Sequence, residues 1–132
     1  MKNPRWITPQ ELQLIHFRQV ELFGGSHGII DGNVVDSALH KPQHLNFYEP
    51  DSDIAALAAA YLCGFAQKQG FADGNKRTAL AVSLTFVRLN GYTLNVGKAE
   101  LLAFVLAIAR NELNQSAATT WLSKNITSYP QK

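Results

Sequence analysis

Apolar residues recur at intervals of three and four positions along most of the chain, and this spacing is typical of helices that bury one face. Glycine, proline, asparagine and aspartate separate these segments and indicate the turns between them. The pattern predicts helices at residues 9–23, 31–40, 54–68, 78–89 and 98–110, a last helix that begins at residue 116, and a short extended piece at residues 92–96. The sequence therefore predicts an all-α fold, a single-domain helical bundle.

One helix of this bundle is apolar on almost every side. Residues 79–89 carry small or apolar side chains until Arg88, so we expect neighbouring helices to enclose this segment. Asn90 and Gly91 follow it, and a glycine just after the last turn accepts the left-handed conformation that ends many helices. The sequence thus predicts that a central buried helix follows directly on a polar loop.

Capping residues precede several of the other helices. Thr8 and Glu11 form a capping box, with a proline in the first helical position between them. The predicted N-caps of three later helices are Asp31, the run Asp51-Ser52-Asp53 and Ser116, because their side chains can accept a hydrogen bond from a first-turn amide.

Pro42 is expected to end the second helix, since proline lacks an N–H group and its ring clashes with the preceding turn. Residues 43–50 would then form a loop with two aromatic side chains. The same break separates His40 from His44, so we do not expect their four-residue spacing to produce a zinc pair. His16, in the first helix, is expected at the surface or with its hydrogen bonds satisfied.

Composition restricts the possible functions. The chain has 132 residues, enough for one domain with one core, and 46% of them are hydrophobic. It has no apolar run of membrane-spanning length and no secretory leader pattern, so we expect no membrane contact and a cytoplasmic location. A net charge of +2 without a basic stripe does not indicate nucleic-acid binding. We expect Cys63 to pack in the core and residues 128–132 to form a mobile polar tail.

The polar loop before the central helix carries the candidate chemistry. Its turn predicts Asn75 as the N-cap of the helix, whose first amides and dipole favour an anion. Lys76 and Arg77 stand in the first turn, where cations are unfavourable unless an anion compensates them. Gly74 permits close approach of a ligand, and the Asp73 carboxylate suits magnesium. These residues predict a magnesium-nucleotide site.

A simpler interpretation of the loop is also open. Asp-Gly-Asn is an ordinary turn, and lysine and arginine are common at surfaces. The Walker A pattern is absent, because Phe71 occupies the position five residues before Lys76 where that pattern has a glycine. Spacing alone does not decide between the two interpretations.

Residues 71–78, which read FADGNKRT, resemble the signature motif of the Fic/Doc superfamily, specifically its death-on-curing (Doc) branch. Most Fic proteins have a glycine where this chain has Lys76. The similarity extends upstream to residues 24–25, 28–31 and 36–43, and downstream to residues 89–92. It covers nearly the whole chain.

The resemblance implies a Fic-like fold and transfer of part of a nucleoside triphosphate to a protein hydroxyl. With lysine at position 76 it implies a Doc-type kinase that transfers the γ-phosphate of ATP to a threonine of elongation factor Tu and blocks translation. Asp73 would hold Mg²⁺; the phosphates would be bound by Gly74, Asn75, Lys76 and Arg77. The alternative within catalysis is a Fic-type adenylyltransferase.

The resemblance also assigns supporting roles. Phe71 would anchor the loop in the core, and residues 43–50 would help to form a flap that holds the target, unless their aromatics only cover the core. A small Phd-like antitoxin with a disordered C-terminal segment would hold the toxin. Inhibition within the chain is not expected, because no glutamate here is followed by glycine or asparagine, as the family's inhibitory motif requires.

Gln69 departs from the family pattern, because it occupies the position of the histidine that takes the proton from the target hydroxyl. Glutamine cannot act as a base near neutral pH, and loss of a general base typically costs ~10²–10⁴-fold in rate. An engineered inactivation and a natural variant would both explain it, and the difficulty of producing an active toxin favours the first. If Gln69 is natural, the chain is alternatively a catalytically silent, antitoxin-binding module in transcriptional feedback.

Overall fold

Six helices and one small sheet form the part of the chain that the computed structural model describes, residues 3–129. The helices are α1 (Pro9–Phe23), α2 (Gly32–Tyr48), α3 (Ile54–Ala66), α4 (Asn75–Leu89), α5 (Lys98–Ala109) and α6 (Gln115–Asn125). The strands β1 (Tyr92–Leu94) and β2 (Ile126–Ser128) pair antiparallel. The predicted all-α bundle is confirmed, and the predicted extended piece after α4 is the strand β1.

Helix α3 lies at the centre of the bundle. Eleven of its 13 residues are buried, because α2, α4, α5 and α6 all pack around it. α3 carries many alanines around its circumference, and because their side chains are small, neighbouring helices can approach it closely. The prediction that residues 79–89 form the central helix was therefore wrong in this respect: α4 buries one face, while Leu80 and Leu84 on its other side remain partly exposed.

The predicted caps are confirmed for three helices. The Thr8 hydroxyl accepts the Glu11 N–H, and the Glu11 carboxylate accepts the Thr8 N–H, which is the complete capping box. Asp31 and Asp53 cap α2 and α3. The prediction for Ser116 was wrong, since the side chain of Asn114 caps α6 two residues earlier.

Pro42 does not end α2, which continues through it to Tyr48. The proline lacks the N–H that would bond to the Ala38 carbonyl, but its ring is fully buried, and this burial offsets the missing hydrogen bond. The predicted loop at residues 43–50 is thus mostly helical. His40 and His44 share one helix after all, yet no group of three or more potential metal ligands exists among residues 3–129.

The sheet extends the ordered structure beyond the predicted boundary of the tail. Ser128 pairs with Tyr92, and the Tyr129 N–H donates to the Gly91 carbonyl at 2.9 Å. The Arg88 guanidinium covers the Tyr129 ring at 4.4 Å. Residues 128–129 are therefore part of the fold, and residues 130–132 of the predicted tail lie outside the described residues. Cys63 is buried as expected, and no described helix is long and apolar enough to cross a membrane.

Candidate functional site

Phe71 fixes the loop between α3 and α4 to the core. Its side chain is 3% exposed and stacks on the His16 ring of α1, with ring centroids 3.7 Å apart and planes 12° apart. On another side it stacks on Phe65 of α3 at 6.4 Å. The expected anchoring of the loop by Phe71 is confirmed, and one of its two stacking partners, His16, belongs to α1.

Asn75 is the first residue of α4 and not its N-cap, which corrects the prediction. Its side-chain oxygen accepts the Phe71 N–H at 3.0 Å, and its side-chain nitrogen donates to the Phe71 carbonyl at 2.9 Å. Gly74 occupies the N-cap position with φ of 79°, a conformation that glycine adopts without strain, and no side chain caps the helix. Because Asn75 points back into the loop, the N-terminus of α4 stays open to a ligand.

Residues 28–31 run beside the loop as a short antiparallel bridge. The Gly70 carbonyl accepts the N–H groups of Ile30 and Asp31 at 2.8 and 3.0 Å, and the Ala72 N–H donates to Gly28 at 2.9 Å. The Ile29 and Ile30 side chains are 58% and 62% exposed. This segment occupies the position next to the motif that we expected for residues 43–50.

The aromatic residues Phe47 and Tyr48 lie at the opposite end of α2 from this bridge. At 1.5 Å per residue, the 15 residues between Gly32 and Phe47 correspond to about 22 Å. Both side chains are more than three-quarters exposed, so they do not cover the core either. Neither interpretation of this segment from the sequence was right, because both depended on the helix ending at Pro42.

Asp73 is exposed at the turn and is held at two points. Its carboxylate Oδ2 accepts the Ser26 N–H at 2.7 Å, and its backbone carbonyl is 2.9 Å from His16 Nε2. A carbonyl only accepts, so His16 carries its proton on Nε2 and donates. Within residues 3–129 no hydrogen bond occupies Oδ1 of Asp73.

This donor set fits magnesium bound with a nucleotide better than an all-protein metal site. Magnesium is typically held by one or two carboxylates together with substrate phosphates and water. Asp73 supplies one free carboxylate oxygen, and the open N-terminus of α4 beside it favours phosphate. The residues Gly74, Asn75 and Lys76 directly follow Asp73 at this end of the helix.

Lys76 and Arg77 are both exposed, and neither forms an ion pair within the described part of the chain. The Arg77 guanidinium lies over the ring of Phe23, 3.8 Å from its centroid, at the end of α1. Lys76 and Arg77 also border an apolar groove between α4 and α5 with a volume of about 510 Å³. Lys76 and Arg77 thus lie where the loop meets this groove.

Gln69 lies at the start of the loop and is exposed. Its side-chain amide donates to the Ala72 carbonyl at 3.3 Å, so it binds within the loop that carries Asp73. The side chain at this position is therefore an amide, which does not titrate near neutral pH.

Sequence reasoning missed His16, Gly25 and Ser26 as parts of the site. They lie 47 or more positions before Asp73, and nothing in the local pattern of Gly25 or Ser26 indicates the contact. A histidine in the middle of the buried stripe Leu12, His16, Val20 was the available signal.

Comparisons with known proteins agree with this architecture. The profile of the Fic/DOC family matches residues 6–87. Protein kinase doc of Escherichia phage P1 is 31% identical over 120 residues, which cover 91% of this chain and 94% of the phage protein. Toxin Doc of Mycolicibacterium smegmatis is 35% identical over 102 residues, 73% of this chain and 78% of that toxin. The chain therefore belongs to the Fic/Doc family, as a Doc-type member.

Proposed function

We propose that this protein is the toxin of a bacterial toxin–antitoxin system, built as a Doc-type kinase that transfers the γ-phosphate of ATP to a threonine of elongation factor Tu and so blocks translation. One observation carries the proposal: the uncapped N-terminus of α4 has Asp73 before it and Lys76 in its first turn. The names of the relatives, a protein kinase and a toxin, support the same conclusion.

Each residue of the motif has a role in this proposal. The first amides of α4, together with Lys76 and Arg77, bind the phosphates, and Asp73 holds magnesium, which neutralises phosphate charge when bound. Phosphoryl transfer depends mainly on such positioning and charge stabilisation. The exposed segment of residues 28–31 lies next to the loop and offers its edge to an extended stretch of the target.

Gln69 limits the chemistry of the chain as it stands. Without a base, we expect nucleotide binding to persist while transfer falls by ~10²–10⁴-fold. The Gln69→His variant should recover this factor, because the new imidazole would stand at the start of the same loop.

Mass spectrometry of intact elongation factor Tu after incubation with ATP and magnesium tests the proposal. We expect a phosphate-sized increase with Gln69→His, little or none with the unchanged protein, and none when Asp73→Asn is added to Gln69→His. An adenylate-sized increase would instead identify an adenylyltransferase. Absence of any modification by a folded Gln69→His variant would refute the kinase proposal for this target.

The groove between α4 and α5 supports the partner part of the proposal. Its floor is apolar, formed by Leu80, Leu84, Leu101, Leu102, Val105 and Leu106. Lys76, Arg77 and Lys98 also line it, and no carboxylate is among the described lining residues. An antitoxin segment that folds into an amphipathic helix with an acidic face would match both features.

Co-purification with a candidate antitoxin from the same genome tests the groove. Leu102→Glu, with a side chain 44% exposed inside the groove, should weaken binding at least about tenfold, because it places a charge against the apolar face. Leu14→Glu is the matched control, at a residue 58% exposed on α1 outside the groove. Equal binding by both variants would exclude the groove. Antitoxin binding without transfer by Gln69→His would favour the silent module.

A further inference from the structure

His16 is a polar side chain on the buried face of α1. It is 5% exposed, and its neighbours on that face, Leu12 and Val20, are apolar. An apolar residue could fill this position, but it could not donate the hydrogen bond from Nε2 to the Asp73 carbonyl at 2.9 Å. The imidazole therefore combines two functions, since it stacks on Phe71 and holds the main chain of Asp73.

The loop after α1 contacts the same aspartate from its side-chain end. A Cβ at Gly25 would lie 2.7 Å from Cβ of Asp73, so only glycine lets the chain pass this close. This approach brings the Ser26 N–H to the carboxylate Oδ2 at 2.7 Å. At Gly24, one residue earlier and also at positive φ, no atom lies within 4 Å of the corresponding Cβ.

We propose that His16, Gly25 and Ser26 form an aspartate clamp that positions Asp73 for magnesium-nucleotide binding, with His16 as a positioning residue. The proposal rests on the proposed function, because it takes Asp73 as the magnesium ligand. The clamp holds Asp73 by its carbonyl and by Oδ2, and it leaves Oδ1 without a hydrogen bond within residues 3–129 and therefore available to the ligand.

The carbonyl contact also controls the turn that follows. The Asp73 carbonyl belongs to the peptide plane between Asp73 and Gly74, so its fixed direction restrains the left-handed turn at Gly74. That turn sets the direction of the first amides of α4. A site that is ordered before the ligand arrives does not lose affinity to ordering upon binding.

Two substitutions at His16 separate its two contacts. His16→Phe keeps an aromatic ring to stack on Phe71 but has no donor, whereas His16→Gln keeps an amide donor at a similar distance from the main chain. We expect His16→Phe to weaken ATP binding in magnesium by about tenfold and His16→Gln by no more than about threefold.

Titration calorimetry with ATP, in magnesium and then in EDTA, distinguishes positioning from general structural damage. Because the clamp also sets the direction of the first α4 amides, His16→Phe should lose some ATP affinity in EDTA, but it should lose clearly more in magnesium, where Asp73 holds the ion. A loss of the same size in both buffers, or no loss in either, would overturn the proposal.

A pair of glycine variants provides a second test that does not involve His16. Gly25→Ala and Gly24→Ala both place a side chain at positive φ, but only the first pushes on Asp73. We expect at least about tenfold weaker magnesium-dependent binding for Gly25→Ala than for Gly24→Ala. Equal affinities for the two folded variants would contradict the clamp.

Amide hydrogen exchange in the ligand-free protein separates this proposal from the proposed function. The Ser26 N–H should exchange several-fold faster in Asp73→Ala, which removes its acceptor Oδ2, and in His16→Phe, which frees the main chain of the residue that carries this acceptor. Unchanged Ser26 exchange in both variants would refute the clamp whatever the protein binds. Faster exchange in a protein that binds no ATP would support the clamp and refute the nucleotide site.

Discussion

At the start of α4, Gly74 stands at the N-cap position and Asn75 is the first helical residue. Asparagine is a frequent N-cap, yet here its amide bonds twice to Phe71 and stabilises the loop from inside the helix. Glycine stands at the cap instead, with no side chain to satisfy the helix. The result is a helix N-terminus whose donors stay available to an anion, which a capping side chain would have occupied.

Thr78, one turn into α4, is fully buried, and its hydroxyl has no hydrogen-bond partner among the described residues. An unsatisfied buried polar group costs roughly 1–3 kcal/mol. Thr78→Val replaces the hydroxyl by a methyl group of similar size, so we expect it to raise the free energy of unfolding by about 1 kcal/mol. Urea denaturation measures the change.

Thr78→Ser is the matched control, because it keeps the hydroxyl and removes the methyl group. We expect it to lower the free energy of unfolding by about 1 kcal/mol. A loss of stability in Thr78→Val similar to that in Thr78→Ser would show that the hydroxyl has a partner that matters.

Some residues of the candidate site can be predicted from the sequence, and others cannot. Asp73, Lys76 and Arg77 lie in one continuous motif, so their chemistry and spacing can be interpreted directly. His16 and Ser26 reach Asp73 across 57 and 47 positions, and only the packing of α1 against α4 brings them together. The local pattern marks His16 as a buried polar residue, but it does not show which distant residue His16 or Ser26 contacts.

At the scale of elements, caps and periodicity predicted where helices begin better than where they end. Asp31 and Asp53 act locally, through amides two or three positions away, and both predictions were correct. The effect of Pro42 on its helix depends on its environment. In an exposed helix a proline would end or kink the helix, but Pro42 is buried against the bundle and remains inside α2. Burial of Pro42 in the tertiary structure therefore explains why the end of α2 was predicted wrongly.

The start of α1 predicts a specific dependence of stability on pH. The Arg5 guanidinium donates to both Glu11 oxygens, at 2.6 and 3.0 Å, and with the Thr8 N–H it lowers the pKa of Glu11 to about 2. Because the folded pKa lies below the ordinary value of 4.5, the contribution is complete above pH 4.5 and is lost as pH falls towards about 2.

Urea denaturation of the unchanged protein and Glu11→Gln at several pH values tests this prediction. The difference between their free energies of unfolding should be constant from pH 7 down to about 5 and should shrink below that. Glu49→Gln, at an exposed glutamate at the end of α2, is the control and should show little difference at any pH. A Glu11 difference that is independent of pH would contradict the lowered pKa.

At the scale of the molecule, Phe86 joins the N-terminal segment to the two helices that flank the site. Its ring is fully buried, stacks on Trp6 at 5.7 Å and meets Tyr61 edge-on at 5.0 Å. The Tyr61 hydroxyl in turn accepts the Ile7 N–H at 3.0 Å. This contact continues the core from α3 and α4 into the segment before α1.

Phe86→Ala should lower the free energy of unfolding by about 3–5 kcal/mol, since it leaves a cavity at this junction. Tryptophan fluorescence, to which Trp6 and Trp121 both contribute, and circular dichroism should report one shared transition in urea, as expected for a single cooperative domain. Leu89→Ala, one turn later on α4 and 42% exposed, is the control and should cost less than about 1 kcal/mol. A small effect of Phe86→Ala would show that the N-terminal segment is not part of the core.

The account depends most on the claim that the loop and the N-terminus of α4 bind a magnesium nucleotide even with Gln69 in place. Calorimetric titration of ATP into the unchanged protein, in magnesium and then in EDTA, tests it directly. We predict saturable binding of one nucleotide per chain, weakened at least about tenfold by EDTA or by Asp73→Asn. A folded protein that binds no ATP, or binds it equally under all three conditions, would contradict the account.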